Sequence, residues 1–426
     1  MMPATQPFET IVFVDIPDPD NILMILYVLA VSKGRVAIVL SPRIVDLSVV
    51  RYGEKFSEMR TKLGFKIMLD PIKQDNPPQV PEKWEKFFKP DATLSDPKVK
   101  KDTRLYVHVS KLRIKECIQE QFPKRKDYEI FWDPNSLSKI KEPDMRHALH
   151  AADYAFNFDD NERKVYEGII SNHTQSGLKQ RKALRAIIKQ YIARKTEEMG
   201  LNSSKPKPTD INDLFKANDK IKNARLIIGG PLTEALQYIE NTKGRPKIVY
   251  AMLGTLTNDR NIMGRPQFNV GKDAESANAF LKKIVDERIR MLVVPTECCK
   301  GKDEEDPCPY VLERCQYKEL LEKSPLMFRM VPWWGEETGQ ETHYHAFDWI
   351  TATVVTRQDI FKWVPVKHKA CLSGKSVTNI KFAKSTQPST IFMAKPDYRY
   401  MDRKKPVLWE ELKRTFQRDG GLRIGK

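Results

Sequence analysis

The apolar pattern opens with a short β-branched run over residues 10–15 and continues in a segment over 22–30 that is apolar on every face. Between them stand Asp15, Asp18, Asp20 and Asn21. This order predicts a buried first strand, an acidic loop at its carboxyl end and a core helix over 21–31. Residues 35–40, Arg-Val-Ala-Ile-Val-Leu, read as a second strand. From about 55 to 215 the pattern loosens into Pro- and Lys-rich segments such as 71–80 and 89–102. Within that stretch 179–195 reads as a helix, with Leu184, Ile187, Ile188, Tyr191 and Ile192 at helical spacing. Lys179, Arg181, Lys182, Arg185, Lys189, Arg194 and Lys195 cover much of its remaining surface. Residues 202–213 read as a linker.

Regular alternation then returns. Strands are expected over 224–229, 247–252 and 290–294. Helices are expected over 232–240, over 274–287 with Asp273 as cap, and over 347–356. An amphipathic helix over 406–416 turns Leu408, Trp409, Leu412 and Phe416 inward. No internal repeat is present. The pattern describes one α/β domain, formed by residues 1–54 and 216–426, that carries a basic, largely helical insertion over 55–215.

Composition narrows the class. The chain of 426 residues is 40% apolar, ordinary for a globular protein with a large core. No apolar run approaches the roughly 18 residues of a membrane span. A first strand beginning near residue 10 leaves no room for a cleaved signal peptide, so an intracellular site, cytoplasmic or nuclear, is expected. The six cysteines are irregularly spaced and lack paired C-x-x-C knuckles, which favours reduced thiols over disulfides or zinc.

Charge changes the picture more. With 73 Lys and Arg against 56 Asp and Glu, the net charge is +17. The cations are spread along the chain, which points to an extended basic face for RNA or another polyanion, or else to plain solubility charge.

The candidate chemistry lies in the acidic loop. Ligands of open α/β sheets sit at the carboxyl ends of strands, and clustered hard oxygens there suit Ca²⁺ or Mg²⁺. The bland reading makes Asp18 and Asp20 turn and cap residues. Two further segments also have bland readings. Gly229-Gly230 could serve only as a tight strand–helix turn, and Trp333-Trp334 is either a buried loop anchor or a stacking platform.

Several segments, in order, resemble the nucleoside hydrolase (inosine-uridine-preferring) family. The acidic loop resembles that family's D-x-D-x-x-x-D-D signature, and Ile227-Ile-Gly-Gly-Pro-Leu-Thr233 its G-P-L-T turn. Met252-Leu-Gly254 falls where the family has M-G-G, and the run 266–277 resembles its A-E-F-N…D-P-E-A-A segment. Val294-Pro-Thr-Glu-Cys298 and Ala346-Phe-Asp-Trp349 fall where the family has V-P-L-D-V and V-H-D-P. The resemblance covers 10–50 and 222–416. It implies a mostly parallel open sheet with helices on both faces, and hydrolysis of an N-glycosidic bond with Ca²⁺ as cofactor.

It also implies roles. Asp15, Asp20, Asn21, Asp348 and the Gly229 carbonyl would be metal ligands, with Asp15 also catalytic and Asp20 also binding substrate. Asn269 would hold the ribose, with Met252 and Gln267 beside it. Asp18, which keeps the following Pro, is the candidate general base. The chain departs from the family where the loop is one residue shorter and where Asn21 replaces a charged ligand. Gln267 stands for a Glu, Phe347 for a His, and the second strand is followed by Ser41 in place of a ribose-binding Asn. His345, or His343 beside it, is the candidate replacement acid. Two functions follow. One is a Ca²⁺-dependent hydrolase of nucleosides or related ribosylated substrates. The other is a catalytically impaired relative serving as a basic RNA- or ribonucleoprotein-binding scaffold. Homo-oligomerisation is common in the family.

Overall fold

Buried runs of Val, Ile and Leu become the central strands of one sheet. The computed structural model describes residues 7–15, 19–41, 97–134, 177–201, 209–219, 223–255, 267–300, 308–313, 343–401 and 407–416. Strands β1 (Thr10–Val14), β2 (Val36–Leu40), β3 (Tyr128–Trp132) and β4 (Thr209–Asp210) run parallel and lie side by side in that order. On the other side of β1 lie β5 (Arg225–Ile228), β6 (Ile248–Met252) and β7 (Met291–Val294), also parallel. A small pair, β8 (Leu312–Glu313) with β9 (His343–Tyr344), stands apart. The main sheet ends in an antiparallel hairpin, β10 (Lys362–Ser373) with β11 (Ser376–Lys384), joined through β12 (Ile391–Lys395) to β7. The full order is β11-β10-β12-β7-β6-β5-β1-β2-β3-β4.

Ten helices accompany these strands among the described residues. They are α1 (Pro19–Val31), α2 (Pro97–Gln121), α3 (Gly177–Glu198), α4 (Ile211–Asn218), α5 (Thr233–Asn241), α6 (Phe268–Gly271), α7 (Ala274–Asp286), α8 (Glu297–Lys300), α9 (Phe347–Thr353) and α10 (Trp409–Thr415). No described helix is long and apolar enough to cross a membrane. The chain divides into two compact units. The first comprises Met1–Ser41, Cys117–Asp133 and Thr209–Lys426, and the second Pro42–Glu116 and Pro134–Pro208.

In the first unit the strand period of two sorts the core. Ile11 and Phe13 join Ala37, Val39, Leu226 and Ile228 on one face, against α4, α5 and α7. The opposite face is taken by α1, which packs on α9 and α10. Helix α1 is buried from Pro19 to Leu29, as the all-round apolar run from Ile22 onward requires, and that burial takes Asp20 and Asn21 in with it. Asp273 caps α7 by accepting the Ser276 backbone N–H at 3.0 Å. Strands β3 and β4 fall inside the stretch 55–215 and extend the sheet.

In the second unit the described parts of α2 and α3 are tied by ions. Arg181 and Arg185 both reach Asp102, at 3.0 and 2.5 Å, and Lys195 reaches Glu116 at 2.8 Å. The order of these contacts along both helices makes them run in the same direction.

Three sequence expectations change. Residues 202–213 are not wholly a linker, because Asp210 caps α4 by accepting the Asn212 backbone N–H at 2.9 Å. The Lys-rich segment 89–102 includes the start of α2, with Pro97 at its first position. The β10–β11 hairpin is an addition. Its signal was Gly374, at φ +59°, between two alternating runs. The five described cysteines, Cys117, Cys298, Cys299, Cys308 and Cys371, are free thiols.

Candidate functional site

From β1 the chain adds β2, β3 and β4 on one side and then returns to place β5, β6 and β7 on the other. The gap between β1 and β5 is therefore the topological switch point, where open parallel sheets bind ligands. Asp15 follows β1 there, and Gly229-Gly230 follow β5.

Both glycines are needed for close approach. A Cβ on Gly230 would stand 2.8 Å from the Asp15 backbone nitrogen. A Cβ on Gly229 would stand 2.8 Å from the Asp348 Cγ and 2.9 Å from the Met24 Sδ. The Gly229 N–H donates to the Phe13 carbonyl at 2.8 Å, continuing the ladder to its end. This is more than a plain turn, since it draws Asp348 at the start of α9 against the end of β5.

Asp15, Asp20 and Asp348 are all buried, as is Asn21. The Asp20 carboxylate accepts the backbone N–H of Asn21 at 3.1 Å and that of Asp348. Burial pushes the Asp20 carboxyl up to about 7, the neighbouring Asp15 charge pushes in the same direction, and the backbone donors oppose both. Asn21 Nδ2 donates to Asp15 Oδ1 at 3.0 Å. Asn21 Oδ1 is buried without a hydrogen-bond partner.

A second group adjoins through Gly229. Asn269 Nδ2 donates to the Gly229 carbonyl at 3.0 Å and to the Met252 carbonyl at 2.9 Å. Gln267 caps α6, its Oε1 accepting the Val270 N–H at 3.3 Å, while its Nε2 lies 3.0 Å from the Met252 Sδ. Asp15, Asp20, Asn21, Gly229, Met252, Gln267, Asn269 and Asp348 are thus brought into one contiguous set. Asp18 lies outside the described residues. His345 lies three residues before Asp348, its Nδ1 bonded to the Cys299 carbonyl at 2.9 Å.

Two neighbours of the set were given no site role from the sequence. Cys299 is fully buried, and its thiol is pushed up by burial first, then by Cys308 and by Asp348 and Asp20, which places it beside the carboxylates. Ser41 donates its N–H to the Val14 carbonyl at 2.7 Å and its hydroxyl to the buried Glu234 carboxylate. The sequence signal for Ser41 was its position, first after β2. Glu234 directly follows the Pro-Leu-Thr turn.

Among the described residues no three His, Cys, Asp or Glu side chains are arranged to grip a single metal ion. The donor chemistry still fits a hard cation. Asp15, Asp20 and Asp348 offer carboxylate oxygen, Gly229 a carbonyl, and Asn21 an amide oxygen that is buried without a partner.

No protein-family model matches the chain, and no curated protein sequence matches it. Solved structures do. An inosine-uridine preferring nucleoside hydrolase from Bacillus anthracis aligns at TM-score 0.52 with 12% identity, covering 97% of this chain and all 100% of that one. An inosine-guanosine nucleoside hydrolase aligns at 0.50 with 12% identity, over 96% of this chain and 98% of that one. A plant nucleoside hydrolase aligns at 0.50 with 12% identity, over 96% and 99%. Identity this low speaks for architecture alone. The chain has the nucleoside hydrolase fold.

Proposed function

We propose that the chain is a Ca²⁺-dependent hydrolase of the N-glycosidic bond of ribonucleosides or a related ribosylated substrate. The observation that carries this reading is the buried Asp15–Asp20 pair at the switch point, beside an Asn21 Oδ1 that has no protein partner. Asp15, Asp20, Asn21, Asp348 and the Gly229 carbonyl would hold the ion. A bound Ca²⁺ would lower the pKa of an attached water and orient the ribose hydroxyls.

The chain's own residues would do the rest. Asp18 takes a proton from the attacking water as the C–O bond forms and the C–N bond breaks. Asn269 spends both amide protons on the Gly229 and Met252 carbonyls, so its Oδ1 is the atom left to meet a ribose hydroxyl. Met252 packs beside the sugar, held by the Gln267 amide, which is neutral where the family has a carboxylate. His345 supplies the proton that the departing base needs.

A second reading rests on one contact. The Asn21 amide donates to Asp15 Oδ1, so the site supports itself by a hydrogen bond on an oxygen that a metal would use. This favours a catalytically impaired relative that keeps the fold as a basic scaffold.

One assay separates the two. The purified protein is incubated with purine and pyrimidine ribonucleosides and Ca²⁺, and release of reducing sugar is followed, with EDTA and Asp15→Asn as controls. Release abolished by both controls is the expected result. No release from a protein with an intact melting transition would move the reading to the scaffold.

A further inference from the structure

Helices α2 and α3 of the second unit each expose cations that the hydrolase reading does not use. Lys100, Lys101 and Arg104 are exposed on the first turns of α2. Lys182 and Lys189 are exposed on α3, on one stripe with Ala186 and Ala193 at helical spacing. None of these five forms an ion pair among the described residues. The two helix starts are fastened together, because Asp102 accepts Arg181 and Arg185, and Arg185 Nη2 also donates to the Lys98 carbonyl at 2.7 Å. Asp102 and Glu116 are the sole acids within 97–116 and 177–196. Asp102 is fully buried on its two arginines, and Glu116 is taken by Lys195 and by the Tyr191 hydroxyl. Over 97–116 and 177–196 both acids are thus paired off while these five cations stay exposed, and the exposed acids Glu197 and Glu198 follow only at the end of α3.

We propose that these exposed cations bind the phosphate backbone of a nucleic acid without reading its sequence. Lysines set at successive turns of two fastened helices match a chain of evenly spaced phosphates. No aromatic side chain is exposed on these stretches, so bases have no stacking platform and the contacts carry position, not sequence. Among the described side chains the exposed apolar residues here are small, chiefly Ala186 and Ala193, which offer nothing to insert into a bilayer and argue against a membrane surface.

The competing explanation is diffuse attraction from the net charge of +17. The β10–β11 hairpin provides the control, since Lys367, Lys369 and Lys381 are also exposed there and Lys369 pairs opposite Lys381. Binding of a short labelled single-stranded RNA, and of DNA of the same sequence, is measured by fluorescence anisotropy over a range of NaCl. The full chain is compared with Lys101→Glu/Arg104→Glu/Lys182→Glu and with Lys367→Glu/Lys369→Glu/Lys381→Glu, which change the net charge equally. The helix variant is expected to lose at least about tenfold in affinity, with a salt slope shallower by about 2. The hairpin variant is expected to stay within about threefold of the full chain. Similar affinity for RNA and DNA supports backbone recognition, and preference for RNA identifies the 2′-hydroxyl as an added contact. Equal losses in both variants, no loss in the helix variant with melting unchanged, or binding to phosphatidylserine vesicles but not to nucleic acid would each overturn the proposal. Nucleoside hydrolysis by the helix variant should be unchanged, so this result stands apart from the fate of the hydrolase reading.

Discussion

At the scale of single residues, Asn21 decides what kind of site this is. Its amide nitrogen satisfies Asp15, while its Oδ1 is buried without a partner. Such an atom costs about 1–3 kcal/mol unless a ligand reaches it. Replacing it as Asn21→Asp removes the donor to Asp15 and sets a further charge beside Asp15 and Asp20. Without Ca²⁺ this variant is expected to melt lower, by about 1–3 kcal/mol of stability. With Ca²⁺ the added carboxylate becomes a better ligand, and the Ca²⁺-induced rise in Tm is expected to exceed that of the unchanged protein. Thermal melts with Ca²⁺ and with EDTA read both effects. A variant that melts alike in both conditions would show that residue 21 does not face a cation.

The same residues show what a sequence can reveal about a site. Asp15, Asp20 and Asn21 belong to one strand–loop–helix step, so their proximity follows from local structure. Asp348 lies on a distant helix, and its place beside Gly229 depends on the order of the strands. It could be named through its match to a family motif but not from spacing. Cys299 and Glu234, which join the site by the same long-range route, carry no such motif and were given no role, and Ser41 was noted only as standing in place of a ribose-binding Asn.

Between elements, the α1–α9–α10 face is joined by a buried polar network. The Tyr27 hydroxyl on α1 donates to Glu411 Oε2 on α10 at 2.6 Å and meets Thr356 Oγ1 just beyond α9. The Trp349 indole N–H on α9 donates to Thr415 Oγ1 at 3.1 Å. Glu411 also accepts Arg414 on both oxygens at 3.1 Å. Burial, reinforced by Glu411, pushes the Tyr27 hydroxyl far above the usual tyrosine range, so it is a permanent donor. Tyr27→Phe leaves Glu411 with Arg414 and should cost about 1 kcal/mol, whereas Glu411→Ala takes the charged acceptor from both the buried Tyr27 hydroxyl and Arg414 and should cost about 2–3 kcal/mol. Chemical denaturation of the two variants tests that order, and equal losses would contradict it.

Element by element, periodicity worked where burial was uniform. Strands β1, β2 and β6 are buried throughout and helix α1 from Pro19 to Leu29, and all four lie within a residue or two of their expected limits. It failed where two signals compete. In α2 the Val107-His108-Val109 alternation looks like a strand, and the Lys-rich first turns hide the apolar face. In β10, Pro365 and the exposed lysines break the reading of a strand, although Pro365 stands in a hairpin that ends the sheet.

For the molecule as a whole, two opposite fields coexist: a net charge of +17 and a buried set of carboxylates at the switch point. Salt acts on them differently. Exposed charges are screened over a Debye length of about 8 Å at physiological ionic strength, and buried ones much less. Nucleic-acid binding by α2 and α3 should therefore collapse as NaCl rises, because it works by counterion release. Ca²⁺ at the acidic site faces only the residual repulsion of the basic surface, and salt weakens that repulsion. The stabilisation by Ca²⁺, about 2.7 kcal/mol at a hundredfold excess over Kd, is accordingly expected to change little between low and moderate NaCl. Melting curves with and without Ca²⁺ at several NaCl concentrations, beside the anisotropy titrations, measure both responses in one preparation. A Ca²⁺ effect that fades in parallel with nucleic-acid binding would mean that the ion is collected at the surface, and the carboxylates of the switch point would lose their claim to it.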